Sequence, residues 1–144
     1  VAKILVFIVN FLVEVNIMNM ALVVEDSLTE RQAIADYLTR NGLVVSIATS
    51  GEEALEKINL CQPDIVILDI ILPGRSGFEL CRHFKTNPQT HKLPIVLCST
   101  KISDLDRFWG LKQGADAYLP KPIVEEVLVR TVKQLLRTHV REVN

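Results

Sequence analysis

Cysteine is scarce in this chain of 144 residues: Cys61, Cys81 and Cys98 are odd in number and far apart. No C-x-x-C pair or matching histidine spacing accompanies them, so neither a disulfide framework nor a zinc site is indicated. Each lies in an apolar pattern and reads as a small buried hydrophobe in a reducing, cytoplasmic compartment. Histidine is equally sparse, and His83, His91 and His139 are scattered. Neither sign of charge is in excess. The 16 basic and 17 acidic side chains leave a net charge of −1, with no Lys/Arg stripe to attract nucleic acid. No G-x-G-x-x-G or P-loop motif follows the first strand, which weighs against a nucleotide or flavin carrier. Internal repeats, low-complexity tracts and linkers are absent as well.

Long hydrophobic runs are lacking too, with one near miss. The opening stretch VAKILVFIVNFLVEVNIMNM is far more apolar than the rest of the chain. Its clean core, residues 4–13, contains Asn10 and is shorter than the roughly 20 residues a bilayer span needs. One basic residue, Lys3, and no small-residue cleavage pattern argue against a signal peptide. The chain begins with Val, and Met18 and Met20 stand just before the first convincing strand. Residues 1–19 are therefore expected to be an upstream extension of the reading frame. A helix or strand packed on the domain, and a membrane segment, are the alternatives; no membrane insertion is expected.

What is present is a globular composition, 49% apolar and 23% charged, long enough for one substantial core. Short runs rich in Val, Ile and Leu fall at 21–24, 44–48, 65–68, 95–98 and 117–119. They lack period-2 alternation, as expected of parallel strands covered on both faces. Amphipathic segments lie between them. Ser27-x-x-Glu30, Ser50-x-x-Glu53 and Ser76-x-x-Glu79 are capping-box patterns at helix starts. Ser103-x-x-Asp106 is a weaker version opening the fourth helix of the domain. Gly42 and Gly114 mark the ends of the first and fourth. Ile34, Tyr37 and Leu38 share one face of the first helix, and Ala54, Leu55 and Ile58 one face of the second. Phe108, Leu111 and Ala115 follow core spacing on the fourth. The last helix, 124–139, carries Val124, Val127, Leu128, Val132 and Leu135. The alternation predicts an α/β domain over 20–139, a parallel sheet with five helices on its two faces. Residues 140–144 are expected to be a tail, with no second domain.

Polar residues interrupt this scaffold at the strand ends: Glu25-Asp26, Asp69, Ser99-Thr100 and Lys121-Pro122. In a parallel sheet those ends share one edge, where open α/β folds place their sites. A carboxylate such as Asp69 in the apolar run VILDI is costly to bury unless paired. Clustered carboxylates want a hard cation, and Mg²⁺ suits oxygen ligands while keeping places for water and a phosphoryl oxygen. An ionised aspartate beside it is a phosphoryl acceptor, because phosphoryl transfer needs positioning and charge neutralisation above all. Lys121 and the Ser99 hydroxyl would each take a further phosphoryl oxygen. Counting five residues from Pro94 favours Ser99 over Thr100 for that role.

The motifs VVEDS, PDIVILDIILPGRSG, LPIVLCST and GADAYLPKP together resemble the receiver domain of two-component response regulators, of the stand-alone CheY and PilH kind, over residues 21–137. The resemblance implies a flavodoxin-like, doubly wound sheet of strand order 2-1-3-4-5. It implies that Glu25 and Asp26 bind Mg²⁺ with Asp69 and the Ile71 backbone carbonyl. It further implies that Asp69 accepts phosphate from a histidine kinase and that Ser99 and Lys121 contact the phosphoryl group. Tyr118 takes the place of the aromatic switch residue that follows the strand-4 hydroxyl, and Lys121-Pro122 that of a Lys-Pro step that is often cis. Similarity to the PilH kind points to type IV pilus motility or taxis.

Two positions depart from the family pattern. Ile71 stands where many relatives carry a polar side chain near the attacking water, and Thr100 where Ala or Gly is common. Slow loss of the phosphoryl group is the expectation. The face formed by the fourth helix, fifth strand and last helix is the expected output surface, with Trp109, Lys112 and Tyr118. Trp109 also reads as a packed structural residue on a stripe with Leu105 and Lys112, and both readings stay open. An aspartyl-phosphate phosphohydrolase would want Asp-x-Asp, which Ile71 breaks. A receiver that binds partners without being phosphorylated is the remaining alternative.

Overall fold

A computed structural model describes the backbone of residues 1–16 and 18–143, with the side chains of residues 11–16 and 140–143 outside the description. The elements in chain order are α1 (Ala2–Asn16), β1 (Met20–Val24), α2 (Leu28–Thr39), β2 (Val44–Ala48), α3 (Gly51–Cys61) and β3 (Ile65–Asp69). They continue as α4 (Gly77–Thr86), β4 (Ile95–Ser99), α5 (Asp104–Lys112), β5 (Ala117–Pro120) and α6 (Glu125–Val143). All five strands pair in parallel in the order β2-β1-β3-β4-β5. This is the flavodoxin-like order that the motifs imply.

Alternation along each strand sorts the core into two layers. Leu22 and Val24 face α3 and α4, meeting Ala54, Ile58, Leu80, Cys81 and Phe84. Ala21 and Val23 face α2 and α6, meeting Ile34, Leu38, Leu128 and Val132. β1, β3 and β4 are therefore buried on both faces. β2 is not: as an edge strand it keeps Val44 exposed and its middle half-buried, contrary to the expectation for all five. Burial is the main stabilising term here, at about 25 cal/mol per Å² of apolar surface removed from water.

Three local expectations need correction. Among the described residues six helices are present, not five, because residues 2–16 form α1, a segment with neither Gly nor Pro to break it. Its described side chains, Ala2 to Asn10, are all exposed. α6 starts at Glu125, so Val124 precedes it and is 58% exposed; Leu128, Val132 and Leu136 form the buried stripe, with Leu135 only partly buried. On α5, Phe108 and Leu111 are 55% and 53% exposed. The residue facing the sheet is Gly110, where an added Cβ would lie 2.7 Å from Tyr118 Cδ2. A helix that approaches so closely through a glycine leaves its bulky neighbours on the flanks.

The turn after β3 is tighter still. The Gly77 N–H donates to the Ile70 carbonyl at 2.8 Å, folding the 70–77 loop back on the strand end. A Cβ at Gly77 would stand 2.2 Å from the Asp69 carbonyl oxygen, so any side chain there displaces the strand end itself. Gly77→Ala is expected to cost about 1–3 kcal/mol or more, an overpacking penalty, read as a lower urea midpoint at unchanged slope. A midpoint equal to wild type would contradict this packing.

Candidate functional site

Four strand ends deliver the polar residues to one place. Glu25 directly follows β1 and is 1% exposed, while the next residue, Asp26, is exposed. Asp69 closes β3 with 9% of its side chain accessible, and Ser99 closes β4, buried. Lys121 follows β5, its N–H donating to the Ser99 carbonyl at 2.9 Å and its peptide to Pro122 cis. Carboxylate oxygens of Glu25, Asp26 and Asp69 all lie within 4.8 Å of one another. Into this cluster Lys121 Nζ reaches, 3.0 Å from Asp69 Oδ1 and 2.9 Å from Glu25 Oε1. The third contact, 2.6 Å to Glu30 Oε2, was not anticipated.

Glu30 was hidden by its own motif. Ser27-x-x-Glu30 has the spelling of a capping box, yet Ser27 makes no side-chain cap hydrogen bond. At Ser50, Ser76 and Ser103 the hydroxyl does accept from the N–H three residues on. The Glu30 carboxylate has a tertiary partner, the buried ammonium of Lys121, and charge-assisted pairing of that kind is strong.

One ammonium cannot neutralise four acids. Burial, reinforced by the neighbouring Glu30 and Asp69, pushes the Glu25 carboxyl up to about 9, although Lys121 pulls the other way. Its Oε2 is buried without a partner. Burial also opposes the Lys121 charge, but Glu30, Glu25 and Asp69 outweigh it and hold its pKa above the usual lysine value. An orphaned buried carboxylate oxygen among three acids within 4.8 Å fits a hard divalent cation with oxygen preference. Ile71 lies just beyond this cluster, its side chain 60% exposed, and Thr100 is exposed at the end of β4.

Ser99 and Tyr118 are linked through one residue the sequence did not single out. Lys101 donates its N–H to Ser99 Oγ at 3.0 Å, and its carbonyl accepts the Tyr118 O–H at 2.5 Å. Tyr118 is 8% exposed, its ring in the notch left by Gly110. Trp109 is 47% exposed, and Lys112 Nζ sits 5.5 Å above the Phe108 ring and 5.9 Å above that of Trp109.

The response regulator receiver domain model matches residues 21–133 of this chain. The chain belongs to that family. It is 35% identical to the protein PilH of Pseudomonas aeruginosa over 80% of its own length and 95% of PilH. It is 40% identical to the transcriptional regulatory protein AfsQ1 of Streptomyces coelicolor over 84% of its length, but spans only 52% of AfsQ1. The crystal structure of a putative response regulator from Chloroflexus aurantiacus superposes with a TM-score of 0.80 at 35% identity, covering 83% of this chain and 98% of that one. The chain is thus a receiver domain of the two-component signalling kind, similar to PilH nearly end to end. Among the described residues, no helix is long and apolar enough to cross a membrane.

The raised Glu25 pKa has a definite sign in this receiver domain. Folded protein keeps the Glu25 proton to about pH 9, whereas the unfolded chain releases it near 4.5. Between those values the folded state binds more protons, so metal-free stability falls as pH rises. Glu25→Gln is expected to melt higher than wild type in a chelator, with a gap that widens from pH 5 to pH 8. Mg²⁺ is expected to close that gap by stabilising wild type more. A gap independent of both pH and Mg²⁺ would contradict this electrostatic picture.

Proposed function

We propose that this receiver domain is a phosphoacceptor switch: Asp69 takes a phosphoryl group from a histidine kinase in a Mg²⁺-dependent reaction, and the modified protein changes its binding to another protein. The observation that carries the reading is Lys121 Nζ standing 3.0 Å from Asp69 Oδ1 beside an acid cluster with an orphaned oxygen. In the step itself an Asp69 carboxylate oxygen forms a bond to phosphorus. The donor's P–N bond breaks, the bonding pair leaves on the imidazole nitrogen, and that nitrogen gains a proton. Glu25, Asp26, Asp69 and the Ile71 carbonyl would hold Mg²⁺, which when bound supplies positive charge to the phosphoryl oxygens. Lys121 serves one of those oxygens and the Ser99 hydroxyl another. The protein catalyses its own phosphorylation and dephosphorylation and has no turnover substrate.

The Lys101 link supports a route outward. Ser99 cannot turn toward a phosphoryl oxygen and keep accepting from the Lys101 N–H, so the 100–102 segment that anchors the Tyr118 hydroxyl must readjust. Such a two-state element biased by local charge is how phosphorylation reaches a surface. Trp109 and Lys112 are then the output surface, beside the exposed Leu105 and Phe108, and Tyr118, buried in this resting arrangement, joins it when the segment readjusts. Similarity to PilH over 95% of that protein supports a stand-alone role in pilus motility or taxis. Buried Cys81 and Cys98, whose thiols desolvation pushes up to about 12, suit a reducing cytoplasm.

Incubation with Mg²⁺ and acetyl phosphate, followed by intact mass, tests the reading. One added phosphoryl group is expected, absent in Asp69→Asn and without Mg²⁺, and outlasting donor removal by minutes because Ile71 offers the attacking water no polar side chain and the bulk of Thr100 restricts access to the phosphoryl group. No mass increase in wild type would leave the phosphorylation-independent receiver in its place.

A further inference from the structure

We infer that Glu30 is a positioning residue that restrains Lys121 and acts as a brake on phosphoryl transfer to Asp69, an inference that rests on the phosphoacceptor reading. An ammonium has three N–H donors. Lys121 faces three carboxylates, with Nζ distances of 2.6 Å to Glu30, 2.9 Å to Glu25 and 3.0 Å to Asp69. The side chain is only 7% exposed, so no water-facing donor is held in reserve. Two donors go to Glu30 and Glu25 and the ammonium is ion-paired with Asp69, so a phosphoryl oxygen arriving at Asp69 competes with these carboxylates for Lys121.

The cost of displacement differs sharply among them. Glu25 is 1% exposed, and Asp69 is the acceptor itself. Freeing Asp69 strands a charge, and freeing Glu25 a polar group, in a dry site where the penalty exceeds that of an exposed group. The Glu30 side chain is 42% exposed, in the first turn of α2 where the helix dipole favours an acid. That exposure lets its carboxylate swing out to water, beside a cavity of about 190 Å³ that it lines with Ala33, Ile34, Tyr37, Pro122 and Ile123. Glu30 is the contact that yields. Until it does, it withholds one donor from the incoming group and presents a negative charge to an anionic donor.

The contact is also long-range: Glu30 stands in the first turn of α2 and its carboxylate accepts from Lys121 Nζ, 91 residues along the chain. That arrangement stabilises the resting position of Lys121 over Asp69 and couples α2 to the loop after β5.

The test compares rates of phosphorylation by acetyl phosphate for the full chain carrying Glu30→Gln, Lys121→Gln or both, alongside wild type, with the melting temperature of each. Glu30→Gln is expected to react about two- to five-fold faster than wild type, the scale of one exposed ion pair. It should melt within a few degrees of wild type, and its acceleration should vanish in the Lys121→Gln background. A purely structural role would move the melting temperature and leave no such coupling. If wild type takes up no phosphoryl group, the phosphoacceptor reading fails first. If wild type reacts and Glu30→Gln is equal or slower, or accelerates equally without Lys121, the brake is overturned.

Discussion

A single buried ammonium organises this protein's polar end. Lys121 Nζ is shared by Glu25 and Glu30 from the β1–α2 junction and by Asp69 from the end of β3. Two of those acids are almost wholly withdrawn from water, and leaving either unpaired would cost several kcal/mol. The ammonium therefore supplies part of the positive charge these acids need. It also leaves the job incomplete, as the elevated Glu25 pKa and the orphaned Glu25 Oε2 attest. The acid cluster left short of positive charge fits a hard divalent cation.

The fold converts sequence order into this convergence. Parallel pairing puts every strand's C-terminal end on one edge, and the register sets Asp69 opposite Cys98 and Ser99 opposite Pro120. Gly77 lets the loop after β3 close against the Asp69 carbonyl, and Gly110 lets α5 approach the Tyr118 ring. Two missing side chains thus set where two functional ones stand. The Lys101 backbone, bonded to both Ser99 and Tyr118, ties the chemistry at the sheet edge to the exposed apolar flank of α5.

Much of this was legible in the sequence because the strands are apolar until they stop. Four of the five Val/Ile/Leu runs end in residues that a core would reject, and parallel topology alone says those residues meet. What the sequence concealed had specific causes. Glu30 spelled a capping box, and only the tertiary partner decided otherwise. Phe108 and Leu111 had core spacing, but Gly110 turned the helix so that the smallest residue faces the sheet. Leu136 replaced Leu135 through a one-residue phase difference in α6. The apolar opening segment carried no cap and no breaker, so its helix, α1, could not be told from a strand by pattern.

Melting temperature of Lys121→Gln in a chelator, and again with saturating Mg²⁺, tests most directly whether this ammonium holds the acids together. A clear loss of stability is expected in the chelator, largely recovered with Mg²⁺, because the cation takes over the neutralisation. Equal melting of variant and wild type in the chelator would contradict that role for Lys121.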